Sequence, residues 1–205
     1  MSIYSLKPRF QALLRPLVAR LDAAGVTANQ VTVAACLGSV ALGSALAFLT
    51  VARHWFALIS LWMFVRMALN AVDGMLAREF GHKSRLGAYL NELTDVVSDA
   101  ALYLPFAGIA PFSGIAIGCV ILFAALSEMA GVVAAVTGAS RRYDGPMGKS
   151  DRAFVFGSLA LWVAVGQPLP SWAALLIWLV AGLTALTVAN RVRRGLDEAA
   201  AGRRV

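Results

Sequence analysis

The chain has 205 residues, of which 60% are hydrophobic and 14% charged, with a mean hydropathy of +0.74 and a formal net charge of +7. That composition is too apolar for a soluble domain of this size, and it excludes a soluble nucleic-acid binder. It predicts an all-α integral membrane protein whose surplus of basic residues suits anionic lipid or phosphate.

In chain order, residues 1–24 predict a helix lying along a membrane surface. Tyr4, Phe10, Leu13, Leu14, Leu17 and Leu21 recur at helical spacing among Lys7, Arg9, Arg15 and Arg20. The stretch lacks the unbroken apolar core and cleavage site of a secretory signal. Six apolar runs follow, at about 30–52, 54–79, 86–109, 111–137, 152–167 and 170–190, each read as a crossing of roughly 30 Å of hydrocarbon. Residues 191–205 form a tail, and the whole of 1–205 reads as one membrane domain with a six-helix core over 30–190. Sixteen of the 18 basic residues fall in the two ends and the loops on one side, with only Arg53 in an opposite loop and Arg66 inside a span. The positive-inside rule then puts both termini in the cytoplasm of an inner, cytoplasmic membrane. Cys36 and Cys119 lie in spans and read as small core residues. Trp55, Trp62, Trp172 and Trp178 read as interfacial anchors or lipid-facing packing.

Polar groups inside the second and third spans break this apolar pattern. Asn70 to Arg78 reads N-A-V-D-G-M-L-A-R, and Gly87 to Asp95 reads G-A-Y-L-N-E-L-T-D. Arg66, Asn70, Asp73 and Ala77 share one helix face, with Gly74 beside them; Asn91, Asp95 and Asp99 share another, while Glu92 falls off it. The short loop between the two spans predicts antiparallel neighbours whose stripes enclose a polar pocket. Ionisable residues in a bilayer mark functional sites by default, and converging carboxylate and amide oxygens suit Mg2+ or Mn2+ beside a phosphorylated substrate. A polar network that only joins two helices is the competing reading. Arg66 and Glu128 are read as a buried ion pair, or one of them as a substrate contact.

At these residues the chain resembles the CDP-alcohol phosphotransferase family, whose signature D-x-x-D-G-x-x-A-R is followed by a glycine and two further aspartates. Asp73, Gly74, Ala77, Arg78, Gly87 and Asp95 match it. G-V-T-A-N-Q-V-T, Gly25 to Thr32, is similar to the family's entry into the first span, with Ala28 in place of proline, and G-K-S-D-R, Gly148 to Arg152, resembles its basic turn. The resemblance implies transfer of a phosphoalcohol group, here a phosphatidyl group from CDP-diacylglycerol, to a small polar alcohol with release of CMP. It also implies a homodimer. By position, Asn70, Asp73, Asn91 and Asp95 would hold divalent metal, and Asp95 would be a ligand or the base. Gly74, Ala77, Arg78 and Gly87 would line the donor site together with Asp73.

The run after Thr94 looks nearest to the phosphatidylinositol-phosphate and phosphatidylserine synthase branches. Arg141, Arg142, Lys149 and Arg152, with Arg191 and Arg194, either contact a phosphorylated acceptor or simply carry the positive-inside signal. Asparagine stands at two of the four family aspartate positions, Asn70 and Asn91, and supplies an oxygen without charge. The expectation is therefore a single tightly held ion, or a second that arrives only with the substrate, with Asp99 recovering some charge. A membrane relative that binds CDP-lipid without transferring it is the alternative function.

Overall fold

The computed structural model describes residues 6–49 and 52–202, the side chains of the first few excepted. Tyr4, Arg203 and Arg204, and the side chains of Lys7 and Arg9, lie outside the described residues. Seven α-helices follow one another: α1 (Leu6–Ala23), α2 (Ala28–Phe48), α3 (Ala57–Glu79), α4 (Arg85–Tyr103), α5 (Gly114–Val136), α6 (Lys149–Val165) and α7 (Ala173–Gly202). Short 3-10 turns at Arg53–Phe56 and Leu104–Gly108 lead into α3 and out of α4. Four stretches, at α2, Arg53–Glu79, α5 and α7, are long and apolar enough to cross a membrane; α4 carries the polar stripe and α6 has 17 residues.

Local chemistry sets the helix starts. Thr27 opens α2 with a capping box: its hydroxyl accepts from the Gln30 N–H at 3.3 Å, and the Gln30 side chain accepts from the Thr27 N–H at 2.8 Å. Ser84 caps α4 by accepting from the Gly87 N–H at 2.9 Å. Asp151 closes the first turn of α6 onto the Gly148 N–H at 2.8 Å.

In α1 the apolar stripe divides between two surroundings. Val18 is fully buried, with Leu14 and Leu21, against Val72, Met75 and Leu76 of α3, while Leu13 and Leu17 stay exposed. Arg15 pairs with Glu79 at 2.9 Å, and His82 Nε2 lies 2.9 Å from Asp22. The other ring nitrogen of His82 accepts from the Ala28 N–H at 3.3 Å, so one imidazole ties together α1, the start of α2 and the loop into α4.

Sequential helices are not the main packing partners. α2 lies along α3 and, more extensively, α4; α3 packs on α6, and α5 runs beside α7. The expectation that α3 and α4 are direct neighbours is therefore corrected: α2 lies against both, and long side chains cross the gap. A small-residue contact sets the α2–α4 approach, because a Cβ at Gly43 would fall inside the Ala101 carbonyl. Gly43→Ala is expected to force these helices apart at a cost of about 1–3 kcal/mol, seen as a lower detergent melting temperature; an unchanged melt would remove the close contact.

The main core joins Phe56, Tyr103, Phe106 and Phe156 with Ile59, Ile117, Ile177 and Val180. Tyr103 stacks on Phe156 with ring centroids 4.0 Å apart. Trp62 is half-buried and donates its indole N–H to Ser39 at 2.9 Å, so it joins α2 to α3, unlike Trp55, Trp172 and Trp178, which stay exposed. Cys36 and Cys119 are half-buried free thiols. Helix α7 is about 45 Å long at 1.5 Å per residue, so the tail expected at 191–205 is, as far as Gly202, a continuation of the last helix.

Candidate active site

Two rows of side chains meet where α3, α4 and α6 converge. Arg66 reaches from α3 to α4, its Nη1 2.5 Å from Asp99 Oδ1 and its Nη2 3.2 Å from Asp95 Oδ1 and from the Asp95 carbonyl. From α6, Lys149 bonds Asp95 Oδ1, and Arg152 Nη2 lies 3.3 Å from Asp99 Oδ2. Lys149 and Arg152 are one turn apart at the start of α6, which turns both toward α4. Asp95 is thus partly exposed between two cations, whereas Asp99 is buried between two arginines.

A second layer is organised by Glu128 on α5. Its carboxylate lies 3.4 Å from Arg141, 3.4 Å from Arg152 and 3.3 Å from Arg191. The expected Arg66–Glu128 pair is not formed: Arg66 faces the acids of α4, while the packing of α5 on α7 brings Arg191 to Glu128. Arg152, with no exposed side-chain surface, also donates to the Met147 carbonyl at 3.1 Å and lies 3.4 Å from the Ser127 hydroxyl. Arg141 bonds Glu92 at 2.6 Å and stacks over Tyr143, 4.3 Å from its ring centre.

A cavity of about 360 Å³ opens over these groups, with Asn91, Asp95, Glu128, Arg141, Lys149 and Arg191 in its wall. Of the residues expected to act, Asn91, Asp95, Arg141 and Lys149 line it. Arg152 lies beneath it, and Arg142 is turned away toward Asp144, 2.7 Å distant, and Glu198. Asn70, Asp73, Gly74, Ala77, Arg78 and Gly87 are outside this wall.

Asp73 is buried, its Oδ2 2.7 Å from the Thr32 hydroxyl, which also lies 3.0 Å from the Ala28 carbonyl; one hydroxyl proton serves one of these acceptors at a time. Thr32 is a site residue that sequence reading missed, and its place at the end of the Gly25 to Thr32 motif was the available signal. Gly74 lies against the Arg78 guanidinium, and a Cβ at Gly87 would come within 2.8 Å of Asn29 Oδ1 and 3.0 Å of Ser84 Oγ, so a side chain there would push both polar groups aside.

The carboxylates of Asp73 and Asp95 and the amides of Asn70 and Asn91 are hard oxygen donors, the chemistry Mg2+ and Mn2+ take. Asp99, expected to recover charge, is instead consumed by Arg66 and Arg152. Among the described residues no three His, Cys, Asp or Glu side chains group as a metal site. Those four donors fit a divalent ion in kind and carry two carboxylate charges among them.

The cavity roof, residues 137–148, is strapped to α7. Ser140 donates its N–H to Glu198 at 2.9 Å, Asp144 lies 2.7 Å from Arg194, and Thr187 accepts from the Met147 N–H at 3.0 Å. The Arg142 hydrogen bond holds the Asp144 carboxyl below its ordinary range, and the Ser140 N–H does the same for Glu198. Both acids are depressed in the fold, so their contribution is complete above about pH 5 and is lost as pH falls through the lowered values. Hydrogen exchange at Ser140, corrected for intrinsic rate, is expected to show equal protection at neutral pH and about pH 5 and a loss below about pH 4. Protection that persists in acid would mean that backbone packing alone holds the roof.

The CDP-alcohol phosphatidyltransferase family model matches residues 25–189, from the cap of α2 to the middle of α7. The chain belongs to that family. This member is 45% identical over 195 residues to the inner membrane protein YnbA of Escherichia coli K12, covering 94% of the chain and 96% of the relative. It is 36% identical over 98 residues to a phosphatidylinositol phosphate synthase of Streptomyces avermitilis, covering 48% of the chain and 38% of that protein. The fold of this family member matches the Mycobacterium tuberculosis phosphatidylinositol phosphate synthase crystallised with CDP-DAG, at a TM-score of 0.73 and 21% identity over 88% of this chain and 92% of that one. The same enzyme with manganese and citrate matches at a TM-score of 0.70 and 21% identity, over 88% of each chain.

Proposed function

We propose that the protein is an inner-membrane phosphatidyltransferase that moves the phosphatidyl group of CDP-diacylglycerol to the hydroxyl of a small polar alcohol and releases CMP. The observation that carries this reading is the family motif's last aspartate, Asp95, standing in the wall of the cavity beside Lys149 and Asn91. Asp95 takes the proton of the acceptor hydroxyl as its oxygen bonds the phosphatidyl phosphorus and the bond from that phosphorus to CMP breaks. Asp73, placed by Thr32, and Asp95, with the amide oxygens of Asn70 and Asn91, would hold Mg2+ or Mn2+. When bound, that ion offsets pyrophosphate charge and makes the phosphorus more electrophilic. Gly74, Ala77, Arg78 and Gly87 face the nucleotide end of the donor, and Arg141 and Lys149 meet phosphate oxygens. Arg142 and Arg152 act from behind, by fixing the roof and the floor.

In this reading the six helices α2 to α7 all cross the bilayer, α1 lies at the cytoplasmic interface with Leu13 and Leu17 in lipid, and both termini are cytoplasmic. The protein works as a homodimer. The second reading, a CDP-lipid binder without transfer, is favoured by Asn70, Asn91 and the engagement of Asp95 by Arg66 and Lys149. The deciding experiment is CMP release by the purified protein given CDP-diacylglycerol, Mg2+ or Mn2+ and pooled polar alcohols, then single ones. Acceptor-dependent release supports transfer; donor binding with no release from any acceptor supports the binding-only relative.

A further inference from the structure

Lys149 has no use in the expected metal site, yet it is bonded to Asp95, one of the ligands expected there. Its ammonium bonds Asp95 Oδ1, the oxygen that Arg66 also approaches at 3.2 Å. Two divalent ions held close together need several carboxylates to offset their repulsion. This chain has removed two of those charges at Asn70 and Asn91, has closed Asp99 between Arg66 and Arg152, and has fixed a cation on the one exposed acid. A second dication beside Asp95 would have to displace Lys149 or sit against it.

We propose that Lys149 takes the place of a second divalent cation: the site holds one metal ion, and the Lys149 ammonium supplies the other positive charge that meets the donor pyrophosphate beside Asp95. This rests on the phosphatidyltransferase reading for the identity of the donor. The lysine sits at the first turn of α6 with its side chain 29% exposed, in the cavity wall, so it reaches an entering phosphate without leaving α4. The asparagines and the lysine then work together: with two negative charges absent from the motif, a tethered monocation serves where a second dication would meet too little negative charge.

The test is a count of bound Mn2+ by electron paramagnetic resonance on the purified full chain in detergent, with and without CDP-diacylglycerol. The wild-type protein is expected to saturate at one Mn2+ per chain with the donor present, and Lys149→Arg to do the same. Lys149→Met combined with Asn70→Asp and Asn91→Asp is expected to bind two. Lys149→Met alone is expected to weaken donor binding by about tenfold or more, with Lys149→Arg restoring most of it; a lysine that only braced Asp95 would leave donor affinity unchanged. A wild-type count of two or of none with donor bound overturns the proposal, as does a count of one in a triple variant whose melting temperature shows it folded. Because the count needs no turnover, one Mn2+ with no CMP release would keep the role of Lys149 and remove the transferase reading. Two Mn2+ with CMP release would do the reverse.

Discussion

Asp95→Asn is expected to bind CDP-diacylglycerol and to lose CMP release by at least about a hundredfold, the lower end of what a positioned acid–base group contributes. The amide keeps the shape of the side chain and an oxygen for Arg66 and Lys149, so folding is expected to survive, with a melting temperature close to the wild type. What it lacks is a carboxylate able to take the acceptor's proton. Asp95 is the better target than Asp99 because it is the one in the cavity wall; Asp99 lies buried with both oxygens occupied by Arg66 and Arg152. Turnover that persists in Asp95→Asn would move the base elsewhere.

The largest stability effect is expected from Arg152→Met. Arg152 is fully buried and joins Asp99 of α4, Glu128 of α5 and the Met147 carbonyl of the cavity roof, so its loss takes away a cation shared by both acids and strips three buried acceptors of a charged donor. Removing one partner from such a network costs about 3–5 kcal/mol, since buried acceptors lose a charged donor in a low-dielectric interior. That is a fall in melting temperature of roughly 5–15 °C for a chain of this size. Glu128→Gln is expected to cost less in the Arg152→Met background than in the wild type, because part of what Glu128 contributes is its pairing with Arg152. Additive losses in the double variant would mean that Arg152 acts through packing alone.

The helices were legible because each apolar run is long and bounded by polar or turn residues; Gly25, Gly81, Gly138 and Gly166, at the turns between them, all take positive φ. The motif was legible because its residues are few and rigidly spaced. What spacing along one helix does not contain is which other helix it faces. Arg66 and Glu128 are both lone charges in apolar segments, and pairing them satisfied charge balance; the packing of α5 on α7 and the crossing of α3 to α4 gave each a different partner. The same ignorance made α3 and α4 seem adjacent, whereas His82, bonded to the Ala28 N–H, belongs to a loop lying over the start of α2. Thr32 was hidden by being an ordinary helix threonine whose hydroxyl also reaches its own preceding turn. The membrane composition showed even less of the cavity roof, whose hold on α7 depends on residues 40 to 58 positions apart in the chain.

The partners of Glu128 are Arg141, Arg152 and Arg191, and all three come after it in the chain, the last of them 63 residues later by numbering. Asp95 and Asp99 have the opposite history, since Arg66 is already made when they emerge from the ribosome. During synthesis α5 therefore leaves the exit tunnel with a carboxylate that no finished helix neutralises, in a segment otherwise apolar enough to enter lipid at once. The nascent chain carries that acid without a partner until Arg141 and then Arg152 are translated, 13 and 24 residues later. Completion of the last helix, which brings Arg191, is thus the event that closes the ring of cations around Glu128, and a ribosome stalled before residue 191 would hold an unfinished protein whose central acid has two of its three partners.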